Sequence, residues 1–213
     1  MVINFLKRLR RVLRRKKFTN TIDYWENRYA SGGNSGAGSY NDLAIYKASI
    51  LNDFVEKNGI VDVMEFGCGD GNQLKLANYP KYIGFDVSRT AVDICRKKFK
   101  DDESKKFFLM DFYTTQTSQL TLSLDVIFHL VEDNIFQSYM EKLFSASRQY
   151  VVIYSSNVEK YDPNQITHVR QRKFSTWIEK NCSNWMLMQH IPNQRPYDGT
   201  GNTTFAEFFI YKK

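Results

Sequence analysis

Residues 65–71 read Glu-Phe-Gly-Cys-Gly-Asp-Gly, directly after the apolar run Val61-Asp-Val-Met. Glycines at alternate positions let a chain turn sharply out of a strand and let a ligand approach backbone N–H groups closely. Asp86 follows Glu65 by twenty-one residues and ends the next apolar run, KYIGFD (81–86). A carboxylate in that place can accept hydrogen bonds from both hydroxyls of an adenosine ribose. The glycine pattern is weak evidence alone; joined to the strand before it and the acid after it, it demands a strand–turn–helix unit.

The rest of the chain supplies the units that must surround it. Short apolar runs recur at 61–66, 81–86, 106–111, 124–129 and 150–156, with helical stretches between them, notably Arg89–Lys98 and Asp133–Ser147. Such alternation predicts a mainly parallel sheet covered on both faces. Two further strands, WMLMQHI (185–191) and TTFAEFFIYKK (203–213), close the chain without a final helix and predict an antiparallel edge. Ahead of the first strand, residues 21–31 and Asn41–Lys57 read as helices joined by the loop GGNSGAGSY (32–40), which lacks the Gly-Lys-Ser/Thr of a phosphate-binding P-loop. The division is then a basic extension (1–20), cap helices with the glycine-rich loop (21–58), and one α/β domain (59–213).

Charge looks at first like a nucleic-acid signal, at +7. Eight of the cationic residues fall between Lys7 and Lys17, and without them the formal charge is −1. A duplex-binding protein would more often spread positive charge over its folded face. Residues 1–17 place Val2, Phe5, Leu6, Leu9, Val12 and Leu13 at helical spacing among those cations. That pattern suits an amphipathic helix docking on an anionic membrane surface; packing on a partner protein or an ordinary solvated extension would give the same pattern. The three cysteines, Cys68, Cys95 and Cys182, are odd in number and have no zinc-ligand spacing. They suit a reducing cytoplasm, with any membrane contact peripheral and at the inner face. Charges run through the segment where a signal peptide needs an apolar stretch.

The arrangement E-x-G-x-G-x-G, with acids ending successive strands, resembles the class I S-adenosylmethionine-dependent methyltransferase family. The resemblance spans about residues 20–213 and is most specific from Val63 to Asp111. It implies a Rossmann-like sandwich: a mostly parallel seven-stranded sheet with an antiparallel C-terminal edge and helices on both faces. It further implies S-adenosylmethionine as methyl donor, S-adenosylhomocysteine as product and no metal. By the same resemblance Glu65, Gly67, Gly69 and Gly71 surround the methionine part, Asp86 holds the ribose and Val87 packs on the adenine. Asp111 would meet the adenine amino group with Phe112 beside it, and the stretch Asp125–His129, with Phe128, would face the methyl group. Tyr24-Trp25-x-x-Arg28-Tyr29 and the glycine loop look like the cap of small stand-alone methyltransferases found with surface-glycan biosynthesis, which brings Tyr29 to the cofactor.

The acceptor is constrained by exclusions. No Asn/Asp-Pro-Pro-aromatic quartet follows the fourth strand, and no Pro-Cys pair offers a nucleophile for cytosine. An oxygen acceptor on a small molecule or glycan precursor then fits better, with His129 as the candidate general base; a packing role would equally suit that histidine. Asn157 closes the fifth strand, and His168, Arg170 and Arg172 fall in the segment that opens the helix carrying Trp177. These four are the candidate substrate contacts, the arginines suggesting an anionic or nucleotide-linked acceptor. Glu132 and Asp133 adjoin the fourth strand without an evident third metal ligand. Two other readings stay open: an RNA methyltransferase using the basic arm, and an inactive methyltransferase-like scaffold. Oligomeric state is not legible.

Overall fold

Each strand of the sheet sends alternate side chains into one of two separate cores. In the computed structural model, which describes residues 18–159, 167–198 and 202–213, Val63 of β1 (Val63–Phe66) points to one face while Met64 and Phe66 point to the other. In β5 (Ser147–Ser155), Tyr150, Val152 and Tyr154 join the first core and Val151 and Ile153 the second. The first core is covered by α2 (Asn41–Lys57) and α3 (Arg89–Lys98), through Leu51, Phe54, Val55, Val92 and Cys95. The second is covered by α4 (Asp133–Ser145) and α5 (Phe174–Asn181), through Phe136, Met140, Leu143 and Ile178. Burial on both faces explains why these strands read as continuous apolar runs.

Seven strands form one sheet in the order β3-β2-β1-β4-β5-β7-β6, with β2 at Tyr82–Asp86 and β3 at Lys105–Leu109. Pairings from β3 through to β5 are parallel; β7 (Glu207–Lys212) runs antiparallel to both β5 and β6 (Met186–Ile191). The fold class expected from the residues is the one observed. The chain steps from β1 outward to β3, then returns to place β4 on the other side of β1. The carboxyl ends of β1 and β4 therefore diverge at a switch point, where open α/β sheets bind their ligands.

Several boundaries differ from the sequence reading, among them the helix carrying Trp177, which opens at Phe174 rather than near His168. The fourth strand is β4, Ser118–Leu124, rather than 124–129; Ile127–His129 is a single 3-10 turn. Leu120, Leu122 and Leu124 alternate with Thr121 and Ser123, whose hydroxyls are satisfied across the sheet by Leu143 O (2.9 Å) and Tyr139 Oη (2.7 Å). Asp125, at φ 60°, then breaks the strand. The third strand stops at Leu109, and Asp111 lies in a 3-10 turn just beyond it. The β5 strand begins at Ser147, so α4 ends two residues earlier than its pattern suggests. The amphipathic helix expected over residues 1–17 lies outside the described residues.

Candidate functional site

The glycine turn is held by backbone bonds to its neighbour strand: Gly67 N and Cys68 N both donate to Phe85 O (2.7 and 3.1 Å). Gly67 (φ 87°) and Gly69 (φ 56°) occupy a region that side chains rarely adopt. A Cβ at Gly67 would sit 2.5 Å from Val126, and one at Gly69 would be 3.0 Å from the Tyr29 hydroxyl and closer still to Ser35 Oγ. Absence of side chains thus lets β4's exit and the cap touch the turn.

Asp86 ends β2 beside this turn, buried. Its Oδ2 accepts from Gly69 N (2.8 Å) and its Oδ1 from Ser88 N (2.9 Å). Burial pushes its carboxyl up to about 6, against the pull of those backbone bonds. Glu65 on β1 is also buried and accepts from the Tyr82 hydroxyl at 2.5 Å. Burial raises its carboxyl to about 7, while the Tyr82 bond and the Lys47 charge oppose the shift.

The cap closes over these groups along three seams. Helix α1 (Thr21–Ala30) starts at the Asn20 cap, where Thr21 donates through N–H (2.9 Å) and hydroxyl (2.6 Å) to Glu132. One turn on, Glu26 accepts from Ser88 Oγ (2.6 Å), Thr90 Oγ1 (2.6 Å) and Thr90 N (3.2 Å), at the N-terminus of α3 where an anion is favoured. The glycine-rich loop bonds to the glycine turn: Ser35 N and Tyr40 Oη donate to Asp70 Oδ2 (3.1 and 2.7 Å), and Asp70 N donates back to Ser35 Oγ (3.0 Å). Burial opposes ionisation of Asp70, but these bonds hold its carboxyl below the ordinary aspartate range.

At the exit of β4, Lys47 Nζ lies 2.5 Å from Asp125 Oδ2 with no exposed side-chain surface. Four residues later, His129 Nδ1 is 2.9 Å from His168 O. A carbonyl only accepts, so Nδ1 carries the proton and Nε2 keeps its lone pair. Trp25 packs edge-on against the ring at 4.9 Å between centroids. Burial brings His129 down to about 4, which keeps it neutral at physiological pH.

One cavity is lined by Tyr29, Glu65, Gly67, Gly69, Asp86, Val87, Asp111 and His129, all singled out from the sequence. Thr21, Lys47, Met110 and Ile135 share that lining and were not singled out, while Trp25 and Asp125 were named only as parts of longer stretches. Lys47 carried one legible signal, a cation on the apolar side of α2.

Other candidates face elsewhere. Gly71 abuts Phe99 and Cys95, where it permits α3 to approach the turn. Phe112 is 64% exposed and stands outside the cavity, because the turn past β3 swings it outward. Phe128 is buried against Phe205 at 4.9 Å. His168 stacks on Tyr24 at 4.1 Å. Asn157 Oδ1 accepts from Ser175 N (3.1 Å) in the first turn of α5. The arginines clamp the loop after β4. Arg172, 9% exposed, donates to Leu130 O, to Val131 O (2.9 Å) and to Asp133 Oδ1 (2.6 Å), with its guanidinium over Phe136. Arg170 reaches Val131 O (3.0 Å) and Asp133 (3.1 Å). Glu132 and Asp133 are thereby engaged by Thr21 and by the two arginines.

No protein-family model matches the chain, and no curated protein matches it in sequence. Solved structures do match in fold. The N-methyltransferase NodS from Bradyrhizobium japonicum, in complex with S-adenosyl-L-homocysteine, superposes with a TM-score of 0.67 at 14% identity, covering 92% of this chain and 99% of that one. Magnesium protoporphyrin IX methyltransferase (ChlM) from Synechocystis, with the same molecule bound, gives 0.61 at 13% identity over 99% and 94%. The methyltransferase domain of bacterial CtHen1 gives 0.63 at 18% identity over 80% and 98%. The likeness establishes that this chain has the Rossmann-like fold of S-adenosylmethionine-dependent methyltransferases.

Proposed function

We propose that this chain is an S-adenosylmethionine-dependent methyltransferase acting on an oxygen of a small molecule or surface-glycan precursor. The observation that carries the reading is convergence: the glycine turn, Asp86, Asp111 and Tyr29 of the cap line one cavity at the carboxyl edge of β1–β4. The residues fit a nucleoside. Asp86 spends one lone pair of each oxygen on the backbone, and each oxygen has another to accept a ribose hydroxyl. Gly67 and Gly69 lack the Cβ atoms that would strike Val126, Ser35 and the Tyr29 hydroxyl, so the cap and the exit of β4 can close on the turn. Two of the fold neighbours were solved with S-adenosylhomocysteine.

When bound, S-adenosylmethionine supplies an electrophilic methyl on sulfonium. The chain's own work is then positioning and exclusion of water. Val87 and Met110 would hold the nucleoside, and Trp25 and Ile22 of the cap add apolar surface to the same cavity. His129 Nε2 accepts a hydrogen bond from the acceptor hydroxyl and orients its oxygen toward the methyl. At about 4, the neutral ring is too weak a base to remove that proton before attack. It would orient the hydroxyl and take the proton on Nε2 as the C–O bond forms and the oxygen turns strongly acidic, the donor leaving as a neutral thioether. Because Arg170 and Arg172 are committed to carbonyls and Asp133, an uncharged hydroxyl is the acceptor this site favours over an anionic one.

Titration calorimetry with S-adenosylhomocysteine, followed by incubation with labelled S-adenosylmethionine and hydroxyl-bearing acceptors, tests the reading. We expect saturable binding and an alkali-stable methyl ether. No binding would leave the scaffold reading, and label found in RNA would leave the nucleic-acid one.

A further inference from the structure

Large apolar side chains stand exposed at the carboxyl edge of the parallel strands, the edge that holds the cavity. Phe112 follows β3, Val158 follows β5, Tyr197 follows β6, Phe205 precedes the antiparallel β7, and Ile22 lies on the cap helix α1. They fall on both sides of the cavity, because β3 and β6 are the outer strands of the sheet while the glycine turn and Asp125 leave its middle. The apolar surface is continuous with the cavity. Ile22 is 44% exposed and also lines it. On the other side, Tyr197 meets Phe205 (6.1 Å between ring centroids), Phe205 meets Phe128 (4.9 Å), and Phe128 meets His129 (4.6 Å) of the cavity wall. Exposed apolar residues scattered singly need no explanation, but a group around one mouth marks a contact surface.

The basic segment is tethered at the same edge. Phe18, where the described chain begins, packs on Tyr24 (6.2 Å), and Tyr24 packs on Trp25 (5.4 Å) and His168 (4.1 Å) beside the cavity. Lys17, the last of the eight cations, adjoins Phe18. Charge and apolar spacing together select the partner. Without those cations the chain carries −1, so the fold itself has no pull on an anionic surface and the segment must supply it. A polynucleotide would use the cations but not the apolar residues Val2, Phe5, Leu6, Leu9, Val12 and Leu13 set among them, nor Ile22 and Val158 on the rim. A lipid surface uses both: phosphate headgroups take the cations, each raising affinity about fivefold, and the boundary below them takes aliphatic and aromatic side chains. Stable attachment needs two such signals rather than one.

We propose that residues 1–17 and the apolar rim dock together on an anionic lipid bilayer, and that the acceptor hydroxyl belongs to an amphiphile held in that bilayer. The acceptor part rests on the methyltransferase reading. Docking sets the cavity against the surface, where an amphiphile keeps its apolar part in lipid while its hydroxyl enters past Ile22. The C–O bond forms as the C–S bond breaks, sulfur keeps the electron pair, and the hydroxyl proton passes to His129 Nε2.

Flotation of the full chain with vesicles tests the docking. Phosphatidylcholine vesicles carrying about 30% phosphatidylglycerol should bind it at least about tenfold more tightly than phosphatidylcholine alone, and about 0.5 M salt should remove most of the difference. Reversing four cations (Arg10→Glu, Arg11→Glu, Arg14→Glu and Arg15→Glu) should lower vesicle binding more than about tenfold. Val158→Ser with Tyr197→Ser, which leaves the basic segment intact, should lower it at least roughly threefold. In both variants unchanged calorimetric affinity for S-adenosylhomocysteine reports an intact fold. Equal binding to the two vesicles, undiminished binding by either variant, or a preference for polyuridylate over anionic vesicles overturns the docking. For the acceptor, vesicles of total lipid from the source cells are incubated with the protein and methyl-labelled S-adenosylmethionine, and label should enter the chloroform layer. Label confined to water-soluble products, or none transferred while S-adenosylhomocysteine still binds, overturns the lipid-borne acceptor. Failure to bind S-adenosylhomocysteine overturns the donor reading and the acceptor with it, while vesicle binding still decides the docking.

Discussion

Replacing Asp86 by Asn tests the ribose site while keeping shape and removing charge. The carboxylate accepts from Gly69 N and Ser88 N and retains capacity for two ribose hydroxyls. An amide has one acceptor oxygen, so one backbone N–H and one hydroxyl lose their partner and the charge-assisted component of the rest disappears. Hydrogen bonds to a charged group contribute about 1.5–3 kcal/mol each, so the variant should bind S-adenosylhomocysteine about 15–150-fold more weakly. The pH dependence sharpens this. Burial raises Asp86 to about 6 in the free protein. Its ionised form accepts ribose hydroxyls far more strongly than the neutral carboxyl, which has lost the charge and given one oxygen a proton. Affinity in the unaltered protein should therefore fall as pH drops through 6, about tenfold per unit below it, whereas the Asn variant lacks that limb. Calorimetry from pH 5 to 8 reads both, with the 2′,3′-dideoxy analogue as control. If the variant loses affinity equally for the dideoxy analogue, or the unaltered protein shows no acid limb, Asp86 does not hold the ribose.

Two further outcomes follow from groups near the same edge. His129 sits at about 4 in the fold, below its ordinary value of 6.5, so the unfolded chain binds more protons between those values and stability falls as pH drops through that window. By about 1.4 kcal/mol per unit, the stability gap between the unaltered protein and His129→Gln should narrow by about 2 kcal/mol from pH 7 to pH 5, and a constant gap in denaturant titrations would contradict this. Arg172→Met leaves loop carbonyls without their buried donor and should cost about 1–3 kcal/mol in the same assay; no loss would show the clamp to be dispensable.

How much of this was legible in the residues varies with how local the determinant is. Helix α3 spans Arg89–Lys98 as read, because its signals are local: Ser88 caps it and Arg96, Lys97 and Lys98 end it. The glycine turn and Asp86 were equally legible, since their bonds run within a strand–turn–strand unit. The β4 strand was misplaced because its Thr and Ser look polar until Leu143 and Tyr139 supply partners from α4. Arg170 and Arg172 looked like ligand grips because nothing in a linear pattern reveals that carbonyls forty residues upstream lie against them. Lys47 and Asp125 are 78 positions apart, and no periodicity joins them.

The seams of the cap have a kinetic corollary. Thr21–Glu132, Glu26–Thr90 and Ser35–Asp70 are hydrogen-bonded contacts, so water can replace each partner when they part. Under the proposed function, the cavity these contacts border would take in fresh donor and release spent donor past them. Turnover would then be paced by their opening, and its first cycle would run ahead of all later ones.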